Sequence, residues 1–261
     1  MNNFKTLTYV VADRVATICF SRPSDANGMN LALTTELAIA AQACSEDENV
    51  KVVVLTGDGK FFSAGGDVKA MYASDTSAGE TVEKIADQLH LAISCFSRMS
   101  APVIAAVNGV AAGAGFSVAI SADIVIASEN AKFTMAYSKI GLSPDGSSSY
   151  FLPRLVGLRK AQELMLTNRV LSAEEALEWG LINQVVAVQD LETHVAAVTK
   201  QFTQGSLSAN ASIKKLLNQT YGNDLETQMA LESKTIRESA NSADGQEGVT
   251  SFVEKRAPKF N

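Results

Sequence analysis

Asp145 is the one residue of the run GLSPDGSSSY (141–150) that carries a charge at neutral pH, and it sits between a proline and a glycine. On the residues alone it reads as an N-cap for the helix that the following SSSYFLPRL predicts, a common use of aspartate. Two other stretches could do chemistry through their backbones. FFSAGGDVKAM (61–71) and NGVAAGAGFSVAI (108–120) each place small residues where a main chain can be approached closely. In the second, the helical pattern starts near Gly113, so the N–H of Ala114 lies at a helix N-terminus, unpaired within the helix and suited to negative charge. Close packing explains either loop taken alone. Together, one strand apart in a sheet, the two could aim a pair of backbone donors at one oxygen, an oxyanion hole. Neither fits a dinucleotide fingerprint, and no G-K-S/T follows to make a phosphate loop.

Each loop follows a strand-like run, KVVVLTG or APVIAAV, and ADIVIAS is another such run. LTYVVADRVATICF reads as a hairpin turning near Asp13. Between these lie helical patterns, NLALTTELAIAAQAC and GETVEKIADQLHLAISCFSRM, the second with Val82, Ile85, Leu89, Ile93 and Phe96 at helical spacing. Strands alternating with helices predict an α/β core. Ser172 with Glu175 forms a capping box that starts a short helix stopped at Gly180. From about residue 200 successive amphipathic helices predict a helical C-terminal region.

The 261 residues are 46% hydrophobic and 19% charged, as in ordinary globular proteins. A net charge of −6 and a pI near 5.1 argue against a nucleic-acid surface, though a small phosphorylated ligand could still meet a few local cations. With no basic start leading into an apolar leader and no run of about 18 apolar residues, the expectation is a cytoplasmic protein that neither enters nor binds a membrane. Cys19, Cys44 and Cys95 form no C-x-x-C pair and read as buried thiols; with only His90 and His194 besides, no metal site is expected. His90 follows Leu89 on its amphipathic helix and reads as a residue at the edge of the core.

FSAGGDVKAM, AAVNGVAAGAGFSVAISADIVIA and LSAEEALEWGLINQVV, in this order, resemble the crotonase, or enoyl-CoA hydratase/isomerase, superfamily, and the likeness runs from the hairpin to the terminal EGVTSFVEKRAPKF. The resemblance implies a ββα spiral core over 1–199 and a helical region over 200–261 that assembles homotrimers or homohexamers. It implies an acyl-CoA thioester as substrate and no further cofactor. It makes the amides of Gly66 and Ala114 the oxyanion donors. Coenzyme A would lie along Ala64, Asp67 and Val68, with Lys69 near its phosphates and Phe252 and Lys255 of a neighbouring subunit closing over the adenine end. Without the resemblance, Phe252 is a core residue of the last helix and Lys255 a solvated charge. The acyl pocket would be shaped by the stretch from Ala70 onward, including Met71, together with His90 and Tyr137.

The hydratases of this family use two glutamates, and their positions are taken here by Ser117 and Tyr137, so ordinary hydration is not the expected reaction. Asp145 falls where related isomerases carry an acid, in S-P-E-G of Δ3,Δ2-enoyl-CoA isomerases and P-D of the phenylacetate-pathway ring-epoxide isomerase. Such an acid can take a proton from C2 of a 3-enoyl thioester and return one at C4 while Gly66 and Ala114 hold the enolate oxygen. Apolar neighbours would help it act as a base, with Phe151 and Leu152 as walls. The alternative is 4-chlorobenzoyl-CoA dehalogenase chemistry, which shares ELMLTNR and WGL. There an aspartate at 145 attacks the ring and a histidine at 90 activates water, but a tryptophan stands at 137. Hydration and a non-catalytic acyl-CoA-binding role follow behind.

Overall fold

The first hairpin closes through Asp13 and Arg14, both at positive φ (49° and 69°), the twist a two-residue turn needs. It joins β1 (Leu7–Ala12) to β2 (Val15–Phe20) antiparallel, with Leu7 opposite Phe20. The computed structural model that shows this describes residues 4–260.

Two sheets grow side by side from there. Long strands β3 (Val52–Gly57), β5 (Val103–Val107) and β7 (Ile124–Ser128) are near-continuous apolar runs because both of their faces are covered, as parallel strands require. Each feeds a short strand of the second sheet: β4 (Phe61–Ser63), β6 (Val110–Ala112) and β8 (Lys132–Thr134). β9 (Leu171–Ser172) pairs antiparallel with β8, and β10 (Gln184–Val186) closes the first sheet. The orders are β1-β2-β3-β5-β7-β10 and β4-β6-β8-β9, a spiral of ββα turns in a mixed α/β fold.

Helices fill the turns of the spiral. α1 (Leu31–Glu46), capped by the Asn30 side chain, packs along α3 (Ala78–Arg98), with Leu33, Leu37, Leu89 and Phe96 in the core between them. α2 (Val68–Tyr72) is a short piece before α3, and α4 (Ala114–Ser121) is buried along its whole length. α5 (Ser148–Val156), α6 (Leu158–Thr167) and α7 (Ala173–Glu178) follow, α7 starting at the Ser172–Glu175 capping box. α8 (Leu191–Gln204) covers the opposite face of the first sheet, placing Leu191 and Val195 on Val52, Val54 and Ile104.

α9 (Leu207–Gln219), α10 (Leu225–Asn241) and α11 (Ala243–Val253) bury one residue each, Lys214, Thr235 and Ser251. Their apolar residues Leu217, Leu225, Met229, Ile236 and Phe252 are exposed. Phe252, at 85% exposure, is therefore not the core residue that apolar spacing alone predicts. Lys214 reaches inward instead, donating to the carbonyls of Phe96 and Ala101 and to Asp123 Oδ2. Among the described residues no helix is long and apolar enough to cross a membrane.

Candidate active site

The first glycine loop is held from below by a segment that turns back under it. Asn27, fully buried, donates its side-chain amide to the carbonyls of Asp58 and Phe61, at 2.9 and 2.8 Å. Ser63 Oγ donates to Asn27 O at 2.8 Å, Ala64 N–H to Ala26 O, Met29 N–H to Gly65 O and Asp67 N–H to Met29 O. These bonds bracket Gly66, whose own N–H has no partner among the described residues. The Met71 methyl lies over this glycine, since a Cβ there would come within 2.5 Å of it.

The second loop turns at Gly113 (φ 51°, ψ −124°), whose N–H donates to Thr134 O, and Ala114 opens α4. The Ala114 N–H likewise has no partner among the described residues. Close contact between the loops dictates the glycines. A Cβ on Gly65 would stand 2.7 Å from Ala112 O, and one on Gly115 would stand 2.5 Å from Ser63 O. Two unpaired backbone donors on touching loops are what an oxyanion site needs.

Asp145 does not cap a helix. α5 begins at Ser148, and between it and Asp145 stand Gly146 and Ser147, both left-handed at φ 59° and 61°, which turn the carboxylate away from the helix start. Its Oδ1 accepts from the Tyr137 hydroxyl at 2.5 Å. Ser117, one turn along α4 from Ala114 and fully buried, places Oγ 3.1 Å from both Tyr137 Oη and Asp145 O. A Cβ on Gly146 would sit 2.7 Å from Ser117 Cβ, so the whole segment lies pressed on α4. Burial first, then the charge and hydrogen bond of Asp145, push the Tyr137 phenol far above its ordinary range and keep it neutral.

His90 is exposed on α3, and its Nε2 accepts from Gly146 N–H at 3.2 Å, which puts the proton of a neutral ring on Nδ1. His90 and Asp145 line one cavity of about 980 Å3, together with Ile93, Phe151, Ala211 and Lys215. Phe151 is thus a wall of the cavity, whereas Leu152 is buried in the core.

Ala64, Val68 and Lys69 are exposed at the rim of the first loop. Asp67 caps α2 by accepting from Ala70 N–H at 3.0 Å and pairs with Arg22 at 2.8 Å. Burial would raise its carboxyl, but the Ala70 amide and the Arg22 guanidinium outweigh that and hold it below the usual carboxylate range. Phe252 and Lys255 lie at the end of α11, with no hydrogen bond to this rim among the described residues. Among the described residues no group of three or more His, Cys, Asp or Glu could hold a metal ion, and His194 is paired with Gln184 away from the cavity.

Sequence reasoning missed Arg22, which also donates to Gly28 O, and Asn27 and Ser63, which build the first loop from beneath. The signal available for them was the turn-rich run RPSDANGMN, whose asparagine sits between positions that fold back on each other.

Spiral fold, paired loops and a carboxylate in a cavity define a class, and the comparisons name it. Residues 11–261 match the family model described as enoyl-CoA hydratase/isomerase. The chain is 37% identical to a probable enoyl-CoA hydratase of Rhodobacter capsulatus over 99% of its own length and 98% of that protein's. It is also 37% identical to the 1,2-epoxyphenylacetyl-CoA isomerase of Escherichia coli, over 94% of both. The crystal structure of an enoyl-CoA hydratase from Polaromonas sp. JS666 superposes with a TM-score of 0.93 at 32% identity, covering 98% of this chain and 99% of that one. The chain belongs to the enoyl-CoA hydratase/isomerase family, whose members are enzymes acting on CoA thioesters.

Proposed function

We propose that the protein is an acyl-CoA isomerase that moves a double bond from Δ3 to Δ2, with Asp145 as the proton shuttle. The observation that carries this reading is the composition of the site: one carboxylate lines the cavity, it accepts from the Tyr137 hydroxyl, and the Ser117 hydroxyl meets that phenol and the Asp145 backbone carbonyl. Those hydroxyls stand where hydratases of this family place the glutamates that work on water, so no carboxylate pair is left to activate one. An isomerase needs a single base. Asp145 takes a proton from C2, the thioester oxygen gathers the charge against the N–H groups of Gly66 and Ala114, and the proton returns at C4. The reaction calls on nothing beyond these groups and the thioester. The likeness to a relative named as an isomerase supports the reading. The rim residues Ala64, Asp67, Val68 and Lys69 would take the coenzyme A portion. The exposed apolar residues of α9–α11 would meet further copies of the chain, bringing in Phe252 and Lys255 from a neighbour.

The test is conjugation of 3-hexenoyl-CoA, followed by absorbance of the 2-enoyl thioester, with crotonyl-CoA in parallel. Wild type should conjugate the first and leave the second unhydrated, while Asp145→Asn binds the ester without turnover. An active Asp145→Asn would end the proposal. A second reading rests on His90, which shares the cavity with Asp145: attack by the carboxylate on a ring carbon, then hydrolysis aided by the imidazole. Turnover of 4-chlorobenzoyl-CoA would favour it.

A further inference from the structure

The Tyr137–Asp145 contact separates the two carboxylate oxygens, and resting on the isomerase reading above, we propose that Tyr137 is a positioning residue that reserves Oδ2 of Asp145 as the proton-carrying atom. An ionised carboxylate accepts only, so the one proton of Tyr137 must point at Oδ1. At 2.5 Å this is the length of a charge-assisted O–H···O bond. The phenol cannot compete for the substrate proton, because burial and the adjacent charge keep it protonated. Oδ2 has no partner among the described residues and belongs to a side chain that lines the cavity.

The phenol is itself held. With its one O–H donated to Oδ1, Tyr137 Oη can only accept from Ser117, 3.1 Å away. Ser117 is fully buried in α4 and shares its own proton among Tyr137 Oη, Asp145 O and Gly113 O, the last at 3.2 Å. Gly113 and Ala114 begin that same helix, so the chain from oxyanion donor to base runs Ala114, Ser117, Tyr137, Asp145 within one packed unit. A base fixed this way can serve two carbons with one oxygen. The C2–H bond breaks toward Oδ2, its electrons move to the thioester oxygen as the dienolate forms, and Oδ2–H then gives the proton to C4 as the C2=C3 bond closes. Rotation of the carboxylate between the steps would carry the proton away from C4, and the Tyr137 bond opposes it.

The groups facing Asp145 from packed elements are Tyr137, Ser117 of α4 and, through Gly146, the titratable His90 of α3. All but Tyr137 are unchanged in Tyr137→Phe, so a comparison with wild type isolates the phenolic hydroxyl, with its bonds to Asp145 Oδ1 and Ser117 Oγ. With 3-hexenoyl-CoA, Tyr137→Phe should lower kcat by about 10- to 100-fold, the scale of a mispositioned catalytic group. KM should stay within about threefold, because the lost bond is not to substrate. Wild-type kcat in Tyr137→Phe, or a loss carried by KM, would overturn the proposal. Should Tyr137→Phe fail to fold, Ser117→Ala keeps the phenol but frees it, and a smaller loss confined to kcat is expected; an unchanged kcat there would count against the proposal. Activity in Asp145→Asn alone would instead strike at the isomerase reading, so the two failures are distinguishable.

Discussion

A Cβ on Gly65 would stand 3.2 Å from the Ala114 nitrogen, so the first loop reaches the donor of the second with no room for a side chain. Gly65 is also at φ 94°, a conformation that an L-residue adopts only with strain. Gly65→Ala must therefore push the loops apart. The expected result is a kcat reduced by about 100-fold or more, the scale of losing one oxyanion donor. Melting should fall as well, and the pair of measurements separates loop displacement from global unfolding.

The long strands, the two glycine loops and the Ser172–Glu175 box were legible in the sequence, because they are local patterns, whereas the short strands of the second sheet were not. The setting of Asp145 was not legible from the residues alone, which read it as a helix cap. Whether an aspartate before SSS caps a helix depends on the dihedral angles of Gly146 and Ser147, and two successive left-handed residues moved the helix start to Ser148. The partnership with Tyr137 depends on a turn in which Ala136 is left-handed and Tyr137 N–H donates to Met135 O, which residue types do not announce. Arg22 and Asp67 lie 45 positions apart and meet only because the chain crosses beneath the first loop. Phe252 failed as a core residue because apolar spacing marks a face to be buried without saying by what.

Asp67 sets a pH-dependent prediction. Its carboxyl is held low in the folded protein, so the stability it contributes is fully present above its unfolded value and lost as pH falls through the lower folded one. Asp67→Asn keeps a good helix cap but gives up the ion pair with Arg22. At pH 7 the variant should be less stable by about 1.5–3 kcal/mol, the range for a hydrogen bond to a charged group. The gap should close as both proteins are taken into the acid range, followed by chemical denaturation at stepped pH. A gap that stays constant would mean that the ion pair is not its source.

His90 can be tested for what its ring does. His90→Ala leaves the buried Gly146 N–H without its partner, which costs about 1–3 kcal/mol and loosens the segment carrying Asp145. His90→Gln retains an acceptor and should recover melting temperature and the rate with 3-hexenoyl-CoA. If wild type turns over 4-chlorobenzoyl-CoA and His90→Gln does not, the imidazole itself acts in that reaction.

Lys214 joins the helical region to the core, and its removal should be felt in the cavity. Its ammonium donates to Phe96 O, in the last turn of α3, to Ala101 O, and to Asp123 Oδ2 at 2.7 Å. A cation at that position satisfies carbonyls the helix end leaves unpaired and meets the negative pole of the helix. Burial lowers the lysine pKa, and the Asp123 charge offsets this only in part. Lys214→Met keeps most of the side-chain volume but takes the cation from both carbonyls and from Asp123, which keeps only the Val103 N–H among the described residues, costing about 2–4 kcal/mol. Because α9 also supplies Ala211 and Lys215 to the cavity wall, the tether positions that wall against α3. The expected signature is a lower melting temperature together with a raised KM for 3-hexenoyl-CoA and a kcat near that of wild type, the reverse of the split expected at Tyr137. A variant that melts lower with KM unchanged would show that α9 keeps its place by other contacts, and that Lys214 supports the fold without shaping the cavity.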